Sequence, residues 1–141
     1  MFKNFFKKKE KESSNDKNIL IIALLIHAAK IDENYTEIEK KIIKKAIIHL
    51  NETSPDGAEE ILKLAEKKEE ESNQIIEFTR EIKKYSMEFK LKIVEIIWKI
   101  VYSDGTSDDY ESNLIRRICG LLYISDKDNG IIRSKVQNSQ K

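Results

Sequence analysis

The chain of 141 residues contains one cysteine, Cys119, one proline, Pro55, four glycines and two histidines. A lone Cys excludes a disulfide framework and any zinc site built on paired thiolates, and it suits a reducing compartment in which the thiol is simply buried. Four scattered glycines form no phosphate-cradling loop, and no nucleophile motif accompanies them. His27 and His49 have no Cys or His near them in sequence, which favours core or surface roles over metal ligation. Charge of one sign is also missing. Lys and Arg number 26 against 25 Asp and Glu, so the basic footprint of a nucleic-acid binder is absent. The longest apolar run, Ile19 to Ile26 and on through His27 to Ala29, spans eleven residues. As a helix it rises about 16 Å, roughly half of a hydrocarbon core of about 30 Å. It reads as a buried helix rather than a membrane span. Lys30 and Asp32 follow directly, without a small-residue cleavage site, so it is not a secretory signal either.

A 40% apolar share supports one modest core, and a 36% charged share implies much exposed helix. Three segments are expected: a basic, aromatic N-terminal tail over 1–17, a helical domain over 18–136, and a disordered C-terminus over 137–141. The tail carries six Lys against three acids, whereas the remaining residues carry 20 bases and 22 acids. Phe2, Phe5 and Phe6 with Lys7, Lys8 and Lys9 have the make-up of a docking peptide for a partner or an anionic membrane surface. A frayed, solvated terminus accounts for the same residues, because one short anchor binds only marginally.

Beyond the tail the hydrophobic period is that of a helix throughout, and no segment alternates with period two, so the fold class is all-α. A first helix covers about 17–30. Thr36 and Glu39 form a capping box that opens a second, with Ile42, Ile43, Ala46, Ile47 and Leu50 on one face and Lys40, Lys41, Lys44 and Lys45 on the other. That lysine stripe reads most simply as a solvated face. Ser54-Pro55 starts a third helix with Ile61, Leu62, Leu64 and Ala65 inward. Asn73 is the expected cap of a fourth, which carries Ile75, Ile76, Phe78, Thr79 and Ile82. Ser86 caps a fifth that runs to about Tyr102 with Trp98 in the core. Asp108 and Glu111 form a second capping box at the start of a sixth, and Ser125 caps a short seventh.

Two stretches 72 residues apart overlay, Ile22 to Leu50 and Val94 to Leu122. Each has a strongly apolar helix, a short loop and a capped helix. Asp32, Thr36 and Glu39 keep the spacing of Asp104, Asp108 and Glu111. A helical hairpin used twice places the first and fifth helices, apolar nearly all round, at the centre.

At these residues the chain resembles the tellurite-resistance TerB family, which includes the TerB-like domain of the DnaJ-type membrane co-chaperone DjlA. The second copy, Trp98 to Gly105 with Asp108, Tyr110 and Glu111, matches the family's acidic turn and the Glu seven residues after its Asp. In the first copy Glu33 stands where Gly is usual. The likeness extends from about Ile19 to Val136, with Phe78-Thr79-Arg80 in the middle and Ser125-Asp126 near the end. It implies a compact bundle of about seven helices. No His-Pro-Asp triplet is present, so J-domain activity is excluded. The resemblance also implies a divalent-cation site, Ca²⁺ or Mg²⁺, on Asp32, Glu39, Asp104 and Glu111, since carboxylates and loop carbonyls suit hard cations. Capping alone fully explains Thr36, Glu39, Asp108 and Glu111, and neither loop has the EF-hand's Gly at position six or Glu at position twelve. The expected function is a non-enzymatic adaptor or regulatory domain in the cytoplasm, acting on a protein partner that the sequence does not name. The alternative is a peripheral protein held weakly at the inner membrane by its tail.

Overall fold

The computed structural model describes residues 19–31, 35–51, 53–72, 74–104 and 109–139. Among them are seven α-helices and no strand. Helix α1 covers 19–29. It is followed by α2 (Glu37–Asn51), α3 (Pro55–Glu71), α4 (Ile75–Ile82) and α5 (Met87–Val101). A 3-10 turn, Tyr102–Asp104, leads on to α6 (Asp109–Leu121) and α7 (Asp126–Ser139). Helix α5 packs against α2, α6 and α7, while α3 lies on α2 and α6 also meets α4 and α7. The expected tail, 1–17, lies outside the described residues.

Helix starts follow the polar side chains. The Ser54, Ser86 and Ser125 hydroxyls accept from the amides of Gly57, Phe89 and Asp128 at 3.2, 3.2 and 3.1 Å. Each satisfies a donor that the helix itself cannot pair. Helix α4 differs. Its cap position is Gln74, which makes no side-chain cap bond, and Asn73 lies outside the described residues. Helix α6 ends in a Schellman turn, in which the Ile124 amide reaches the Cys119 carbonyl at 2.9 Å and the Tyr123 amide that of Gly120 at 3.3 Å. Tyr123 takes the left-handed position of that turn, φ 61°, which glycine usually fills. The Lys83 ammonium lies 4.8 Å from the centre of its ring.

Helices α1 and α5 form the centre of the core, as expected, although α5 keeps one polar stripe, Glu88, Lys92, Glu95 and Lys99, toward its surface. Ile21 to Ile26 are fully inaccessible, and so are Ile93, Val94 and Ile97. The repeat is visible in the burial pattern. Leu25 and Ile97, Ile26 and Trp98, Ala29 and Val101, Ile43 and Ile115, and Ile47 and Cys119 are buried as equivalent pairs. Burial pushes the Cys119 thiol up to about 12, with Asp126 adding to the effect, so the lone cysteine is a core residue.

Several local expectations change. Leu64 is 54% exposed and Ile76 41% exposed. The inward row of α3 is Ala58, Leu62, Ala65 and Glu69, and Leu64 lies about 200° around the helix from Leu62. In α4 the row Ile75, Phe78, Thr79 and Ile82 faces in, and Ile76 is turned away from it by about 100°. Helix α5 runs to Val101 with Tyr102 as its C-cap, in keeping with the expected end at about Tyr102. The seventh helix is not short, nor does the ordered chain end at 136. It continues to Ser139, whose hydroxyl donates to the Val136 carbonyl at 2.8 Å, and Val136 itself is buried.

Ile97→Asp is expected to abolish folding, because an unpaired charge in this core costs several kcal/mol. Leu64→Asp, on the exposed side of α3, should move stability by no more than about 0.5 kcal/mol. Circular dichroism and urea unfolding of both variants check the assignment.

Candidate functional site

Each half of the repeat joins a central helix to an outer one, α1 to α2 and α5 to α6. At the first loop, α1 closes with the Lys30 amide bonded to the Ile26 and His27 carbonyls at 3.0 and 3.2 Å. Helix α2 then opens on the expected reciprocal box. The Thr36 amide donates to Glu39 Oε1 at 2.8 Å, and the Glu39 amide donates to Thr36 Oγ1 at 3.1 Å. Glu39 is only 5% exposed. Its neighbour Tyr35 is acidic in surroundings: burial, then the charges of Glu66, Glu39 and Glu37, hold the phenol well above its ordinary range. The Lys40 ammonium sits 4.9 Å from the centre of the Tyr35 ring and balances part of that negative field.

At the second loop, Glu111 occupies the same position in the first turn of α6 and is 6% exposed. The loop begins with Tyr102, buried and stacked on Trp98 at 5.6 Å. Ser103 donates from its hydroxyl to the Ile100 carbonyl at 2.7 Å. Two buried carboxylates at matching places in the repeat are therefore present, each in the first turn of its helix. Asp32, Gly105 and Asp108 lie outside the described residues, and of Asp104 only the backbone is described. Among the described residues no three His, Cys, Asp or Glu side chains group to hold a metal ion. Phe2, Phe5, Phe6, Lys7, Lys8 and Lys9 also lie outside the described residues. No described helix is long and apolar enough to cross a membrane.

Two supports for these loops escape a reading of the sequence. Glu69, 9% exposed in α3, receives the Lys30 ammonium at 2.8 Å, and its other carboxylate oxygen lies 3.3 Å from His27 Nδ1. It ties the end of α1 to α3. Glu69 looks like any member of the acidic run around it, and only its place in the row Leu62, Ala65, Glu69 marks it as inward. On the second side, Trp98 Nε1 donates to Asn129 Oδ1 at 2.9 Å, and Arg133 Nε donates to the Tyr102 hydroxyl at 2.9 Å. The Arg133 guanidinium also lies 4.9 Å from the centre of the Trp98 ring. Asn129, Arg133 and Val136 fall at i, i+4 and i+7, the signal that would have put them on the α5 side of α7.

The sequence model of the tellurite resistance protein TerB matches residues 18–134. The chain belongs to the TerB family. No curated protein and no solved structure matches it. The matched region contains both hairpins, so Glu39 and Glu111 lie within the TerB domain.

Thr36→Ala should lower stability by about 0.5–2 kcal/mol through loss of the box at α2, while Thr36→Ser keeps most of it. A shift of the urea midpoint at constant m-value is the readout.

Proposed function

We propose that this TerB domain is a non-enzymatic adaptor or regulatory module, and that its two acidic loops take Ca²⁺ or Mg²⁺. The observation that supports this most is the equivalent burial of Glu39 and Glu111, 5% and 6% exposed, at the starts of α2 and α6. Oxygen donors of this kind suit hard divalent cations, not the softer metals that prefer thiolate or imidazole. Asp32 and Asp104, at the matching place in each loop, complete the proposed donor set. A bound cation would join the two loops electrostatically and so couple the two halves of the repeat. An enzymatic role would need a nucleophile–base pair or a metal with an open position, and the acidic loops alone could supply the latter.

Titration of the full chain with either cation into the millimolar range should raise the melting temperature, since a ligand specific for the native state stabilises by mass action. Asp32→Asn with Asp104→Asn should remove that rise while leaving the metal-free melting temperature near its original value. An unchanged melting temperature, together with unchanged amide shifts at the two loops, would assign Glu39 and Glu111 to capping alone.

A further inference from the structure

Helices α2, α5 and α7 leave a trough between them. Two hollows of about 660 and 480 Å³ adjoin in it, both lined by His49 and Lys92. The floor is apolar: Ile42, Ala46, Leu50, Phe89, Ile96 and Ile132, each buried or half-buried. The rim is cationic, with Lys45, Lys92, Lys99 and Lys135 beside His49, against the acids Glu88 and Glu95. Glu95 is shared by three of the lysines, at 3.1 Å from Lys135, 3.5 Å from Lys92 and 3.9 Å from Lys99. One carboxylate cannot neutralise three ammonium groups. Burial pushes Glu95 up, yet the Lys135 bond and the charges of Lys92 and Lys99 outweigh it and hold the carboxyl below its usual range. Lys44 is neutralised by Glu59, whereas among the described residues no carboxylate pairs with Lys45.

From Phe89 to Lys99 the trough follows α5 for about 15 Å, or nearly three helical turns. A recessed apolar floor under an under-neutralised lysine rim has the form of a helix-in-groove site. A flat bilayer would meet the lysines before it reached the floor. The geometry points to an acidic amphipathic helix of a partner protein as the occupant, with its apolar stripe on the floor and its Asp and Glu side chains against the lysines. This inference rests on the adaptor reading above but not on its cation, and the two tests fail separately.

The probe is a fluorescein-labelled peptide of about 14 residues with leucines at i, i+3, i+4 and i+7 and glutamates on its flanks, titrated with the full chain. Saturable anisotropy at micromolar concentration is expected, weakened by added salt and at least about tenfold by Lys45→Gln, Lys92→Gln and Lys135→Gln together. Amide shifts should concentrate in 42–50, 89–99 and 132–139, a readout on the native chain that holds even if the triple variant folds poorly. A matched peptide with lysines in place of the glutamates should not bind. Absence of saturation up to about 1 mM, equal binding of the lysine peptide, or shifts elsewhere would overturn the proposal. So would phosphatidylglycerol vesicles that bind through the same lysines while the acidic peptide does not.

Discussion

Over residues 21–26 helix α1 is apolar on every side, and α5 is apolar on all but the stripe Glu88, Lys92, Glu95 and Lys99; such surfaces are stable in water only when other helices enclose them. The remaining architecture follows from that requirement. Residues 21–26 leave no polar face for solvent, and Ile93, Val94, Ile96 and Ile97 nearly repeat the pattern. Enclosure comes from helices that are apolar on one stripe and charged on the other. Each central helix turns back into an outer partner, and Glu39 and Glu111, in the first turns of α2 and α6, are buried carboxylates rather than surface ones.

The supports around the loops differ between the halves although the hairpins are alike. The first is clamped by Glu69 on Lys30 and His27, an ionic arrangement with α3. The second is held by Trp98, Tyr102, Asn129 and Arg133, an aromatic and hydrogen-bonded arrangement with α7. A pseudo-repeat thus gives two chemically equivalent acids in two unequal settings.

The fold was largely legible in the sequence because its signals are local. Periodicity, four hydroxyl caps and the repeated acid spacing each act within one or two turns of helix, and all reappear in the structure except where the residues are not described. What was not legible depends on tertiary direction. Leu64 and Ile76 look as apolar as their neighbours, and only packing decides that they face out. Glu69 and Arg133 look like ordinary surface charges, and only the helix opposite makes them structural. The trough on α2, α5 and α7 escaped for the same reason, since its lysines come from three distant segments that the fold brings together.

The central claim is that α1 and α5 are one enclosed core and that both hairpins depend on it. Native-state hydrogen exchange of the full chain tests this most directly. Amides of 23–29 and 93–101 should be the slowest in the molecule and should exchange only through global unfolding, with a common free energy equal to that from urea denaturation. Exchange of one of these segments at a much lower free energy, while the other stays protected, would show two separate hairpins and contradict the account.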